Sequence, residues 1–155
     1  MTQASIELMD LVAAMTVENR PPLGFFRRFV VEKSGEHRNE FDLTMKGIRP
    51  LVDAVRVFAV EKDFRDPSTI KRLQFLSERY EFTYAEDIKH ALNYLDSLLI
   101  HHQLDQIERG MEPDTFVNPG KLTNIEKNTL REIFQLTATV YDIIEKSYRT
   151  ERVGS

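Results

Sequence analysis

Four histidines (His37, His90, His101 and His102) and 25 acidic residues are the side chains able to ligate a metal or exchange a proton, because the chain has no cysteine. That absence removes thiolate nucleophiles, Cys-ligated zinc, iron–sulfur clusters and disulfide frameworks together. A metal centre needs histidines and carboxylates converging at set spacing. His101 and His102 are adjacent, so on a helix they diverge by about 100°, and no H-E-x-x-H or E-x-x-H pair occurs. His37 and His90 have no obvious partners. The histidines therefore read as structural, and no metal site is expected. Phosphate chemistry finds no support either. There is no Walker loop, no G-x-G-x-x-G and no G-x-S-x-G. Two-metal nucleotidyl transfer needs close carboxylates, typically D-x-D after a Gly-Ser turn. The chain has no D-x-D, and its Gly-Ser is the terminal Gly154-Ser155. No catalytic residue is expected.

Positive charge is the other chemical resource. Arg20, Arg27, Arg28, Lys33 and Arg38 crowd residues 20–38 against Glu32 and Glu36, and Lys46, Arg49 and Arg56 follow. Guanidinium groups match phosphate in a bidentate fork, and the free N–H groups at a helix start also favour anions. The competing use is structural. Phe25, Phe26 and Phe29 would plug the fold while the arginines stay solvated. Arg49, Asp53 and Arg56 are also spaced for intrahelical pairs, worth only about 0.2–0.5 kcal/mol each.

The elements that must carry these residues read as helices. Ile6, Leu8, Met9, Val12 and Met15 predict a first helix over Ser5 to about Val17, stopped before Pro21-Pro22. Residues 20–45 form an irregular but apolar stretch that must dock on the rest, with Phe29, Val30 and Val31 inside it. Phe29–Val31 and Phe41–Thr44 are extended enough to pair. A second helix is expected from Gly47 to Lys62, with Pro50 in its first turn. Asp66-Pro67 predicts the cap of a short helix reaching Tyr80. Thr83-x-x-Glu86 and Thr123-x-x-Glu126 are capping boxes for two long helices, the first ending at Gly110. His102 continues the stripe Ile88, Leu92, Leu95 and Leu99. It therefore needs a polar partner, expected from the 20–40 segment. Long amphipathic helices joined by a short loop pack antiparallel. The fold class is all-α: a bundle of about five helices with a docked irregular segment at about 20–45.

The 155 residues, 41% hydrophobic and 30% charged, suit a single domain spanning 1–155. No apolar run approaches the ~20 residues of a membrane span, and the first ten residues lack a signal-peptide layout. A cytoplasmic location is the expectation. A formal net charge of −4 sets a dedicated DNA or RNA binder behind other readings.

Three blocks in order carry a resemblance. They are Pro21-Pro22-Leu23-Gly24-Phe25-Phe26-Arg27-Arg28-Phe29-Val30, then Ser34-Gly35-Glu36-His37-Arg38, then Lys46 through Arg56. His102-Gln103-Leu104, Gly110, Pro113-Asp114 and Leu122-Thr123-x-x-Glu126 continue it. From about residue 7 to 148 the chain resembles the family called putative nucleotidyltransferase substrate-binding domain (domain of unknown function 294, C-terminal part). The resemblance implies a helical bundle lying C-terminal to a nucleotidyltransferase domain, in a longer protein. It implies a substrate-binding or accessory role in bacterial signalling proteins that also carry CBS domains and a cyclic-nucleotide-binding-like module. Their catalytic half is similar to the uridylyltransferases of nitrogen signalling. On that basis no cofactor belongs to this chain, and nucleoside triphosphate and Mg are expected in the adjoining catalytic domain. The partners implied are that domain, in cis or in trans, and a protein acceptor, without DNA, RNA or membrane. Substrate contacts are expected at Arg27, Arg28, Lys46, Arg49 and Arg56, with His102 and Gln103 on the wall of a cleft facing the catalytic domain. The alternative is a stand-alone helical interaction or dimerisation module, a homodimer included.

Overall fold

The computed structural model describes residues 3–18 and 28–153. Five helices carry the fold: α1 (Gln3–Glu18), α2 (Arg49–Glu61), α3 (Thr69–Tyr80), α4 (Ala85–Glu108) and α5 (Asn124–Val153). Each long helix buries one face. On α4 this is Ala85, Ile88, Ala91, Leu95 and Leu98. On α5 it is Leu130, Ile133, Phe134, Thr137, Val140 and Ile144. Residues three or four apart stack on one side of a helix, so these spacings give one core-facing stripe per helix. The expected all-α bundle is what forms.

The irregular stretch is docked, as its composition requires. Along its extended backbone Phe29 and Val31 pack on the core while Val30, between them, is exposed, the alternation a strand-like chain imposes. Phe29 stacks on Phe41 with ring centroids 6.1 Å apart, and Phe134 of α5 meets both edge-on, at 6.1 and 5.8 Å. Edge-to-face and offset contacts suit the ring quadrupoles and add to plain area burial. The aromatic trio fastens the segment to the bundle. Phe25 and Phe26 lie outside the described residues.

Phe41–Asp42 (β1) pairs antiparallel with Phe116–Val117 (β2), in the register Phe41 opposite Val117 and Asp42 opposite Phe116. That partner was not the expected one, since Phe29–Val31 had been the candidate beside Phe41–Thr44. The pair ties the α4–α5 connection to the lead-in of α2. Between β1 and α2 the backbone makes a π turn over Thr44–Ile48, closed by Arg49 N–H donating to Thr44 O. Pro50 explains it. Proline has no N–H, and its ring would strike the carbonyl four residues back in a regular helix. A wider turn leaves room. Gly47, inside that turn, is buried with Leu95 so close that a Cβ would lie 3.3 Å from Cδ2.

Two expected caps differ. Ser68, not Asp66, caps α3, its hydroxyl accepting from Lys71 N–H at 3.3 Å. Asp66 instead accepts from Ser68 N–H at 2.9 Å, shaping the turn before the cap. At α4 the cap is Tyr84, without a side-chain hydrogen bond, so Thr83 and Glu86 do not close a box. Glu86 and Asp87 still favour that terminus through the helix dipole. The second box is complete: Thr123 N–H reaches Glu126 Oε1 at 2.9 Å and Glu126 N–H reaches Thr123 Oγ1 at 3.2 Å. Gly110, at φ +72°, ends α4 as expected, with Met111 N–H donating to Gln106 O and Gly110 N–H to Ile107 O.

Phe134 is fully buried at the centre of the aromatic trio. Phe134→Ala is expected to cost about 3–5 kcal/mol through lost burial and a residual cavity. Urea unfolding followed by circular dichroism should show the midpoint falling by more than ~1 M.

Candidate functional site

The residues that could do chemistry converge at the junction of α4, the α4–α5 connection and the turn at residues 34–40. His102 Nε2 lies 3.2 Å from Asp114 Oδ1. An ionised carboxylate only accepts, so the imidazole donates there. The partner comes from the α4–α5 connection and not from the 20–40 segment, as had been expected. Gln103 Nε2 donates to Asp114 O at 3.2 Å, Gln106 Oε1 accepts from Asp114 N–H at 2.9 Å, and Phe116 N–H donates to Asp114 Oδ1 at 3.0 Å. Three polar residues of α4, His102, Gln103 and Gln106, thus hold one aspartate by side chain and backbone. Gln106, 6% exposed, is the most buried of them and was not singled out from sequence. Its signal was there: it follows His102 by four residues, on the face that packs inward.

Beside Asp114 stands His37, whose ring stacks on Phe116 with centroids 3.6 Å apart. Its Nδ1 is 3.6 Å from Glu40 Oε2. Asn39, at φ 65°, reverses the chain between the two; asparagine tolerates that left-handed conformation better than most residues. His37 therefore has partners: Glu40, three residues on, and Phe116, brought in by the β-pair. Burial is the largest influence on the Asp114 carboxyl and raises it. The His102 hydrogen bond, the Phe116 N–H, Gln106 and the His102 charge together outweigh burial and hold it below the usual carboxylate range. His102, Asp114 and Glu40 line a groove of about 390 Å³, together with Arg109 and Lys121.

A second groove, of about 330 Å³, shares Asn118 with the first and is basic. Arg28, Lys127 and Arg131 line it, together with Phe29, Asn39 and Gly120. Arg131 is held in place, its Nη1 donating to Asn128 Oδ1 at 3.0 Å and its guanidinium lying 5.0 Å above the Phe29 ring. Arg28, one of the sequence candidates, is therefore on this groove. Lys127 and Arg131 had been passed over, although their i,i+4 spacing behind the Thr123–Glu126 box sets them on one face. A third groove, about 620 Å³ between α4 and α5, is lined by Tyr84, Tyr94 and Leu136 with Asp87 and Glu132. Its charges are the wrong sign for an anion.

The remaining sequence candidates lie elsewhere. Arg27 falls outside the described residues. Arg49 Nε pairs with Asp53 at 3.7 Å along α2, as the ladder reading required, and its Nη1 contacts Met45 Sδ at 3.6 Å. Arg56 faces Arg72 of α3; burial first, then Arg56, lowers the Arg72 guanidinium, and Asp66 opposes them. Lys46 sits in the π turn. None of these three lines the groove of Arg28.

A family model described as putative nucleotidyltransferase substrate binding domain matches residues 7–148 of the chain. No curated protein matches, and no solved structure matches either.

Asp114→Ala would leave His102 and Phe116 N–H without their charged acceptor, at a cost of about 1.5–3 kcal/mol. A lowered carboxyl stabilises the fold above its unfolded value, near pH 3.9, and that contribution fades as pH falls through the folded value. Below pH ~4 the variant's stability should consequently fall less steeply than that of the unaltered chain. Urea titrations at several acidic pH values compare the two slopes.

Proposed function

The chain belongs to the putative nucleotidyltransferase substrate binding domain family, and from that premise we propose that it serves as the non-catalytic half of a nucleotidyltransferase. The observation that carries this reading is the family match over residues 7–148. The catalytic domain is supplied in cis or in trans, and holds the nucleoside triphosphate and Mg. This chain holds the acceptor or the polyphosphate beside them. The basic groove of Arg28, Lys127 and Arg131 supports that role, because fixed positive charge near reacting phosphates orients them and stabilises their developing charge. Phe29 keeps the groove rigid by anchoring its floor to Phe41 and Phe134, and positioning requires rigidity. The setting we favour is a bacterial, uridylyltransferase-like signalling protein in the cytoplasm, with CBS domains and a protein acceptor. Among the described residues no helix is long and apolar enough to cross a membrane.

A second reading, a stand-alone module that pairs with a copy of itself, draws on one specific observation. Ile100, Leu104 and Ile107 of α4 are each more than half exposed. Their spacing of four then three residues is that of a coiled-coil seam.

Purified chain alone is expected to transfer no label from a radiolabelled nucleoside triphosphate. In the enzyme that includes the catalytic domain, Arg28→Glu with Lys127→Glu should lower transfer at least ~10-fold while the thermal midpoint stays unchanged. Full activity in the double variant would remove the groove from the mechanism. Light scattering on the purified chain should report a monomer. A dimer dissolved by Ile107→Glu would favour the second reading instead.

A further inference from the structure

We propose that His37, Glu40 and Asp114 form a binding site for one divalent transition-metal ion of the Zn2+ class. One ligand atom from each lies within 4.8 Å of the other two. Four features point to a cation there. First, the donor set is one imidazole and two carboxylates, a borderline nitrogen–oxygen set that suits Zn2+ better than the all-oxygen preference of Mg2+ or Ca2+. Second, the site brings two carboxylates, Glu40 and Asp114, into one cluster, with His37 beside the first and His102 beside the second. A divalent ion would balance the two carboxylates. Third, hydrogen bonds from His102 Nε2 and Phe116 N–H to Asp114 Oδ1 hold that carboxylate in place. Hydrogen-bonded support of a ligating carboxylate is what fixes its direction in metal centres. Fourth, each ligand is half-buried and separately braced: His37 by its stack on Phe116, Glu40 by the turn at Asn39, Asp114 by α4.

Ligand atoms about 2.0–2.2 Å from a common Zn2+ stand roughly 3.3 Å apart in a tetrahedron. The three, within 4.8 Å of one another, must therefore close inward on binding. Three protein ligands leave a position open, as catalytic and substrate-binding zinc sites do. Glu40 and Asp114 line the groove whose wall carries Arg109 and Lys121, so an anionic oxygen entering there would meet the ion and two basic side chains. His102 is a positioning residue in this arrangement and not a ligand. The assignment stands whether or not the domain works in nucleotidyl transfer.

The test is Zn2+ binding by the purified 155-residue chain after EDTA treatment and buffer exchange, measured by competition with a chromophoric chelator. The expected result is one equivalent bound, with visible absorption bands when Co2+ is used in its place. His37→Gln and Glu40→Gln should each weaken binding at least ~10-fold while circular dichroism shows the helices intact. His102→Gln should weaken it as well, by loosening Asp114 and leaving all three ligands present. Asp114 itself is spared because its substitution also unfastens the α4–α5 connection. Absence of saturable Zn2+ binding overturns the site. So does binding that either His37→Gln or Glu40→Gln leaves within ~10-fold of the unaltered chain.

Discussion

The carboxylate of Asp42 is the joint on which the geometry rests. Its Oδ1 accepts from Thr44 N–H at 3.0 Å, Met45 N–H at 3.1 Å and the Thr115 hydroxyl at 2.9 Å. Two of these donors open the π turn, and the third comes from a segment 73 residues away. Leu43 N–H donating to Thr115 O at 2.8 Å reinforces the same crossing. An ionised acceptor makes hydrogen bonds roughly twice as strong as neutral ones, so one side chain fixes both where α2 begins and where the α4–α5 connection lies. Phe116 and Asp114 take their positions from that crossing. His37, stacked on Phe116, takes its position from them in turn.

What the sequence made legible follows from the range of each interaction. Helix stripes, the Thr123–Glu126 box and Gly110 depend on neighbours within four or five residues, and each formed as spacing indicates. The Asp66 and Thr83 caps went astray by one or two residues: Ser68, also a short polar residue, took the position at α3, and Tyr84 took it at α4 without a side-chain hydrogen bond. The β1–β2 pair escaped because two-residue strands carry no alternation, and its members are separated by the whole of α2, α3 and α4. The π turn escaped because Pro50 could equally have sat at the first turn of an ordinary helix.

The candidate site shows the same division. Arg28 was found through charge, and it does line a basic groove. Lys46, Arg49 and Arg56 share its sign but not its location, since the count of arginines in a sequence says nothing about which face each helix turns outward. His102 and Gln103 were placed on a cleft wall. They converge on Asp114, a residue that the resemblance had touched only as part of Pro113-Asp114. His37 had no obvious partner in the sequence, yet Glu40, three residues on, and Phe116, across the strand pair, both reach it. Metal-ligand spacing rules built on helices are blind to clusters assembled that way.

The π turn also constrains length. A π turn is an α-helix carrying one residue too many. Removing a residue between Thr44 and Ile48 would restore the regular pitch but rotate everything before it by about 100° about the helix axis. Asp42 would then swing away from Thr115, and β1 would lose its register with β2. Gly47, which lets Leu95 approach the backbone, would be carried off that contact as well. The stretch from Phe41 to Pro50 is therefore intolerant of insertions and deletions in a way that the exposed turn around Gly35 is not. Length variation among chains that keep this architecture has room in that turn, and almost none in the ten residues from Phe41 to Pro50.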